Sequence, residues 1–271
     1  MFKFLRLICL CAPRILYDYF AWMLRYSIHP ERYTFEVRYA AARKLIIKTI
    51  KNFRLNLQVD GLEILNNEKR AFVLVSNHLS MMDALVLVAI SERPITFITK
   101  KEVKKSPFAG RVLRSVEGSL LDRKDLRQNV AVMEEAERRL NAGYCSYVVY
   151  PEGHRNPDPF GPMLPFHPGS FKLAYRTGVP VIAMAEFGNF RPFKRQLNYK
   201  SYLIQVRFFQ PHEKEEYLAM TTTEFAPLVE KQVSDEVEAM KIKDKAYMDS
   251  KAYKQYPPDP QWYEVYVNGK F

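Results

Sequence analysis

The sequence of 271 residues lacks the motifs of several large enzyme classes. It has no glycine pattern of the dinucleotide-binding type, no phosphate-binding loop ending in Gly-Lys-Ser or Gly-Lys-Thr, and no Gly-x-Ser-x-Gly nucleophile elbow. His212 precedes Glu213, but no second histidine follows at the spacing of a zinc protease helix. These absences argue against hydride transfer, nucleotide-driven chemistry and metalloprotease activity.

Cysteine is scarce, with only Cys9, Cys11 and Cys145 in the chain. All three lie in apolar stretches and have neither paired nor zinc-like spacing. This usage fits a reducing compartment best. We therefore expect no structural metal ion.

Acidic residues are few in the first part of the chain. Between residues 1 and 59, eleven lysines and arginines stand against three acidic residues, and the whole chain carries a net charge of +11. Such a surplus predicts an acidic partner, which can be nucleic acid, an anionic membrane surface or an acidic carrier protein.

Residues 1–26 lack the run of roughly 20 nearly charge-free residues that a membrane-spanning helix needs. On a helical wheel the charged side chains fall within one arc of about 120°, and the rest of the wheel is apolar; they are Lys3, Arg6, Arg14, Asp18 and Arg25. This pattern predicts a helix that lies in the membrane interface with its apolar side in lipid. The alternatives are a helix docked on the core and, less favoured because residues 7–13 are a short uncharged run without a cleavage site, a signal peptide.

Apolar runs separated by helical patterns predict an α/β fold, with a single central, mostly parallel or mixed β-sheet covered by helices. The strand candidates are residues 55–59, 72–75, 95–99, 146–150, 181–185 and 202–208. We divide the chain into a two-helix membrane-interface unit (1–54), an α/β domain (55–212) and a helical, aromatic-rich extension (213–271) whose chemistry the sequence does not reveal. Residues 27–30 break the first helix of the N-terminal unit, and its second helix is predicted over residues 31–53.

Residues 76–83 join a buried strand to an apolar helix, and they contain His78 and Asp83. On one regular helix these two side chains would diverge by about 140°. They meet only if His78 lies in the loop and Asp83 in the first helical turn. Asp83 could then fix the tautomer of His78 and leave the other ring nitrogen free as a general base. The alternative is a structural histidine beside a helix cap.

A second polar segment, residues 150–156, also leaves a predicted strand and enters a loop. Gly153 lets the backbone turn or approach a ligand closely. Arg155 offers a planar donor fork suited to a phosphate group, and Glu152 could lock that fork in place. The alternative is a surface turn with an incidental ion pair.

Further basic residues follow other predicted strands. Arg123 ends the segment 118–123, and Lys100 and Lys101 follow the strand over residues 95–99.

The residues considered so far also allow two functions of different kinds. One is a serine hydrolase with Ser76 or Ser80 as nucleophile, and the other is a non-catalytic basic protein that binds membranes or RNA.

The order of these segments resembles the glycerolipid acyltransferase family, of the bacterial 1-acylglycerol-3-phosphate acyltransferase type. The family's His-x4-Asp block matches His78 to Asp83, and its block ending in Asp-Arg matches residues 118–123. Its Glu-Gly-Thr-Arg block resembles residues 152–155, and its Val-Pro block resembles residues 179–182. The chain departs from the family at His154, where threonine is usual, and at Leu121, where a bulkier residue is usual.

The resemblance implies transfer of a fatty acyl group from acyl carrier protein or coenzyme A to a lysophospholipid, most directly 1-acyl-sn-glycerol-3-phosphate, to give phosphatidic acid. His78 and Asp83 would form the general-base dyad. The substrate phosphate would lie among Arg123, Glu152, Gly153, Arg155, Lys100 and Lys101, and the acyl or lipid pocket would include Val179 and Pro180. We expect a peripheral or monotopic protein on the cytoplasmic face of an anionic membrane, with no bound cofactor, no metal and no nucleic acid.

Overall fold

The computed structural model describes residues 2–105, 109–122, 125–193 and 199–256. In these ranges the α-helices are α1 (Phe2–Asp18), α2 (Leu24–Ile28), α3 (Phe35–Phe53), α4 (Leu62–Asn67), α5 (Met82–Ile90), α6 (Ala109–Ser115), α7 (Leu126–Asn141), α8 (Lys172–Thr177), α9 (Lys214–Tyr217) and α10 (Thr222–Asp249). A π-helical segment, Tyr19–Met23, joins α1 to α2, so that the first helix runs without a break to residue 28.

Within the described ranges, seven strands form one sheet in the order β1-β7-β6-β2-β5-β3-β4. The strands are β1 (Leu55–Asp60), β2 (Val73–Ser76), β3 (Ile95–Lys100), β4 (Ser119–Leu121), β5 (Ser146–Val149), β6 (Val181–Phe187) and β7 (Tyr202–Phe208). Every neighbouring pair is parallel except β6 and β7, which are antiparallel. The predicted α/β class with a single mixed sheet is therefore confirmed.

The six predicted strands are all present, because each is an apolar or alternating run that becomes buried in the sheet. The sequence did not predict β4. Its three residues are only half-buried at the edge of the sheet, so they carry neither a long apolar run nor a clear alternation.

The N-terminal unit shares its core with the sheet. Thr34 caps α3 by accepting a hydrogen bond from the backbone N–H of Val37 (3.4 Å). The apolar face of α3 packs on α5, and its buried side chains belong to the same cluster as those of the sheet and of α10. The division at residues 54 and 212 stays a prediction, and one hydrophobic core spans all three parts.

The first helix turns part of its charged arc toward the protein instead of toward water. Asp18 is buried, and it accepts hydrogen bonds from Arg14 (Nη2 to Oδ1, 3.0 Å) and from the indole N–H of Trp22 (2.9 Å). Because Arg14 neutralises the carboxylate, the pair tolerates a partly buried position. The side chains of Lys3 and Arg6 lie outside what the structure describes.

Helix α10 covers β6 and begins with a reciprocal pair of hydrogen bonds between Thr221 and Glu224. Arg191 and Asp244 form a buried two-pronged ion pair, with both N–O distances 2.5 Å, and this pair ties the loop after β6 to the helix. The helical part of the predicted C-terminal extension is thus integrated into the fold. Residues 257–271 lie outside the described ranges.

Candidate active site

The candidate site forms where three parallel strands end side by side. Val75 in β2 is level with Val149 in β5, and Ser76 is level with Met184 in β6. The segments that follow β2 and β5, and the last residues of β6, therefore meet at the carboxyl edge of the sheet. This is the edge at which α/β folds place their ligands.

His78 lies in the loop after β2 and Asp83 in the first turn of α5, as the spacing predicts. The imidazole Nδ1 is 2.8 Å from Asp83 Oδ2, and the same oxygen accepts the backbone N–H groups of Leu79 (2.7 Å) and Ser80 (2.8 Å). Asp83 is completely buried, whereas the His78 side chain is 19% exposed. The pair therefore leaves Nε2 as the ring nitrogen available to a substrate.

The backbone of His78 is held on both sides. Its N–H donates to Glu152 Oε1 (2.6 Å), and its carbonyl accepts the N–H of Asn156 (2.8 Å). The imidazole stacks on the ring of Tyr150, with centroids 4.1 Å apart and an angle of 20° between the planes. These contacts join the His78 loop to the segment after β5 and restrict the position of the ring.

Glu152 has a different role from the one that the sequence predicted. It is 1% exposed, and its carboxyl holds the His78 loop instead of locking Arg155 or facing a phosphate. Burial raises the pKa of Glu152 to about 7, against hydrogen bonds from the backbone of His78 and Leu164 that lower it, and Asp83 and Glu230 raise it further. The structure thus gives Glu152 a role in holding the His78 loop, and a contact of its carboxyl with the substrate phosphate stays a prediction.

Glu152→Gln tests this role through stability. The folded chain holds the Glu152 proton up to a pH of about 7, whereas the unfolded chain releases it near 4.5. The contribution of the protonated Glu152 carboxyl to the free energy of unfolding is therefore complete below pH 4.5 and is lost as the pH rises to 7. Relative to the Gln variant, which keeps an acceptor for His78, we expect the wild-type free energy of unfolding to fall by about 2–3 kcal/mol between pH 4.5 and 7.5. Urea denaturation of both proteins across this range measures the difference, and parallel curves would contradict the assignment.

An apolar groove begins at His78 and runs between α5, β3 and α6. Tyr150 and Arg155 also line it, and its apolar walls include Met81, Leu85, Val88, Phe97, Val112 and Val116. Arg155 is exposed and forms no ion pair with the described residues. The groove thus combines an apolar interior, one imidazole and one uncompensated guanidinium.

The other predicted phosphate ligands differ in their surroundings. Gly153 adopts φ +71° and donates its N–H to the carbonyl of Tyr150 (3.0 Å), so it closes a turn as predicted. Lys101 forms an ion pair with Asp122, which compensates its charge, whereas Lys100 ends β3 and has no ion pair with the described residues. Arg123 lies outside the described residues.

Val179 and Pro180 are not brought to the site. They precede β6, which runs parallel to β2, so they lie at the opposite edge of the sheet from His78. Their carbonyl oxygens accept hydrogen bonds from Tyr217 Oη (2.8 Å) and from the N–H of Val73 (3.0 Å), respectively. We therefore do not assign them to an acyl pocket.

Neither candidate serine is placed to be activated by His78. Ser76 is completely buried, and its hydroxyl lies 3.5 Å from Asn77 Oδ1. The hydroxyl of Ser80 lies 2.8 Å from the carbonyl of Asn189 and 3.3 Å from Asp83 Oδ1, while it accepts the N–H of Met82. These contacts disfavour the serine hydrolase alternative.

Several residues around the dyad were not identified from the sequence. The sequence indicated no role at the site for Tyr150 or for Asn77. The Asn77 side chain exchanges two hydrogen bonds, both 2.9 Å, with the backbone of Glu186. Glu186 and Asn189 are completely buried behind Asp83. A polar residue within an otherwise apolar strand, as Glu186 is in β6, is the signal that was available.

Among the described residues, no group of three or more histidine, cysteine, aspartate or glutamate side chains is arranged to hold a metal ion. No helix among them combines the length and the apolar character needed to cross a bilayer. Of the cysteines whose side chains are described, Cys9 is exposed and Cys145 is buried, and both are free.

The fold and the site define a class of enzyme. A family model described as "Acyltransferase" matches residues 56–185, which include most of β1, the His78 loop, the Glu152 segment and most of β6. A crystal structure of the 1-acyl-sn-glycerophosphate acyltransferase from Thermotoga maritima has the same fold, with a TM-score of 0.68 and 22% sequence identity, over 88% of this chain and 97% of that one. This family model spans just under half of the chain and supports an acyltransferase enzyme.

Two relatives narrow the class further. The chain is 28% identical over 204 residues to a probable 1-acyl-sn-glycerol-3-phosphate acyltransferase of Mycoplasma pneumoniae. This match covers 69% of the chain and 73% of the Mycoplasma protein. It is 32% identical over 142 residues to the human 1-acyl-sn-glycerol-3-phosphate acyltransferase alpha, and this match spans 52% of the chain and about half (49%) of the human protein. The acyltransferase is of the 1-acyl-sn-glycerol-3-phosphate acyltransferase type.

Proposed function

We propose that the protein transfers a fatty acyl group from a thioester of acyl carrier protein or coenzyme A to the free hydroxyl of 1-acyl-sn-glycerol-3-phosphate, which gives phosphatidic acid. The observation that carries the proposal is that His78 and Arg155 line the same apolar groove. An acyl chain needs an apolar channel, a hydroxyl nucleophile needs a base, and a phosphate needs a cation. The relatives' names supply the particular acceptor.

In the proposed reaction, His78 Nε2 removes the proton of the acceptor hydroxyl as the hydroxyl oxygen attacks the thioester carbonyl carbon. The carbon–sulfur bond then breaks, and the imidazolium returns the proton to the leaving thiolate. Asp83 holds Nδ1 and stabilises the transient imidazolium. No acyl-enzyme forms, so the two substrates must be bound together, with the acyl chain in the groove and the phosphate near Arg155.

A lipid-product assay tests the proposal. The purified protein is incubated with lysophosphatidate and either acyl carrier protein or coenzyme A thioester, and the products are analysed by mass spectrometry. We expect phosphatidate with at least one donor. Absence of acylated product with both donors and with a panel of other lysophospholipids would support the non-catalytic alternative.

Arg155→Ala tests the phosphate contact. Loss of a charge-assisted hydrogen bond to the acceptor should raise the KM for lysophosphatidate about 10- to 100-fold. We expect kcat to change little, because the base is intact. Arg138→Ala, which removes an exposed arginine on α7, is the matched control. An unchanged KM, or an equal effect on an acceptor without a phosphate group, would remove Arg155 from the phosphate site.

We also propose that the protein acts as a peripheral or monotopic protein on the cytoplasmic face of an anionic membrane. The first helix exposes the apolar side chains of Leu10, Leu16, Tyr17 and Phe20, and of these Leu16 and Phe20 lie on the side opposite Asp18. The basic face of α3 lies beside this helix and would attract anionic headgroups. An enzyme bound in this way receives its acceptor laterally from the leaflet.

The combined change Leu16→Glu and Phe20→Glu tests the membrane contact without disturbing α3, whose apolar face is part of the core. These two side chains are 57% and 67% exposed, so the substitutions should be tolerated by the fold. We expect the variant to lose most of its binding to anionic vesicles in a flotation assay. Ile242→Glu on α10, where the native residue is 74% exposed, is the control. Equal binding by wild type and the double variant would exclude this face.

A further inference from the structure

A completely buried carboxyl group, that of Glu186 near the carboxyl end of β6, faces the Asp83 carboxyl. The two groups are in hydrogen-bonding contact, although each carboxylate oxygen is an acceptor when ionised. Two carboxyl groups in a dry interior can share such a contact only if one of them keeps its proton.

The donors around each group indicate which one is protonated. Asp83 Oδ2 accepts two backbone N–H groups and the Nδ1–H of His78, all within 2.8 Å, and these bonds favour the charged form. Glu186 receives one donor, the side-chain amide of Asn189, at 2.6 Å from Oε2. The proton therefore belongs to Glu186.

One oxygen on each side is left for the shared proton. The hydroxyl hydrogen of Ser80 has its better acceptor in the Asn189 carbonyl at 2.8 Å, so Asp83 Oδ1, 3.3 Å away, is not satisfied by Ser80. Glu186 Oε1 is buried and has no donor among the described residues. A proton on Oε1 would satisfy both oxygens at once.

We propose that Glu186 is a positioning residue of the acyltransferase, a carboxylic acid that stays protonated and donates its O–H to Asp83. This inference rests on the proposed general-base role of His78. The O–H bond fixes the Asp83 carboxylate and takes up part of its negative charge. Asp83 then orients the imidazole without holding it in the protonated form, which cannot act as a base.

The electrostatic surroundings agree with a neutral Glu186. Burial raises the pKa of Glu186 well above its ordinary value, and the nearby Asp83 and Glu152 raise it further, against the amide of Asn189. The titratable groups that act on Glu186 from neighbouring elements, Asp83 in α5 and Glu152 after β5, are thus both acidic. Tyr150, on the same side, is neutral because burial raises its pKa well above its ordinary value.

Infrared difference spectroscopy tests the protonation state directly. The spectrum of wild type minus Glu186→Gln is recorded at pH 7.5. It should contain the C=O stretch of the protonated carboxylic acid that the substitution removes, and no carboxylate bands. Glu238→Gln, which removes an exposed carboxylate on α10, is the control and should show the opposite pattern. Carboxylate bands in the Glu186→Gln difference spectrum would show that Glu186 is ionised in the wild type, and would overturn the proposal whatever the enzymatic activity.

Kinetics test the positioning role. Glutamine matches a protonated glutamate in shape and can donate to Asp83, so Glu186→Gln should keep kcat within about 3-fold of wild type, whereas Glu186→Leu should lower kcat about 10-fold. The acid limb of the kcat/KM profile should move to higher pH by about half a unit in the Leu variant only. If the Gln variant is as impaired as the Leu variant, or if the Leu variant keeps the wild-type pH profile and kcat, Glu186 has no such role.

Discussion

His78→Ala should lower kcat for acyl transfer about 1,000-fold, because it removes the group that takes the hydroxyl proton. The fold should survive. The loop is held by backbone hydrogen bonds from His78 to Glu152 and from Asn156 to His78, which alanine keeps. Asp83 retains the two backbone N–H donors of Leu79 and Ser80.

The measurement is a steady-state assay of phosphatidate formation, with thermal unfolding recorded on the same preparations. His29→Ala is the matched control, because His29 is exposed at the end of the first helix and lies outside the site. Turnover within a few-fold of wild type in a folded His78→Ala protein would exclude His78 as the base.

Asp83→Asn should lower kcat about 100-fold with little change in stability. One oxygen of Asp83 accepts all three N–H donors, so the amide oxygen of asparagine can occupy the same place and keep the ring tautomer. The substitution removes the negative charge that stabilises the imidazolium during proton transfer. The loss of rate thus separates the charge of Asp83 from its hydrogen bonds.

The kcat of this variant is compared with that of Asp235→Asn, which removes an exposed carboxylate on α10. Both proteins should unfold at nearly the wild-type temperature. A kcat equal to that of wild type would show that Asp83 acts only as a structural cap for the loop. A large loss of stability would show that the asparagine oxygen does not replace the carboxylate.

Local sequence patterns were sufficient to predict six of the seven described strands and the contact between His78 and Asp83. The strand over residues 72–75 and the helix beginning near Asp83 are both marked by apolar runs, and the turn between them leaves only one arrangement in which His78 and Asp83 meet. The strand order was not predictable, because it depends on contacts between distant segments such as β2 and β6.

The errors concern residues whose environment is set by those distant contacts. Glu152 appeared suited to pair with Arg155, but the parallel pairing of β2 with β5 places its carboxyl under the His78 backbone. Val179 and Pro180 appeared suited to a lipid pocket, but the direction of β6 places them at the other edge of the sheet. Glu186 reaches Asp83 only through the pairing of β6 with β2.

The central claim is that His78 promotes direct attack of the acceptor hydroxyl on the thioester, without an acyl-enzyme. Intact-protein mass spectrometry during a single turnover tests it most directly, with an isotope-labelled acyl thioester added first and lysophosphatidate second. The account predicts an unmodified protein mass throughout and label in phosphatidate only after the acceptor is added. A protein mass increased by one acyl group before the acceptor arrives, with the label then passing to the lipid, would contradict it.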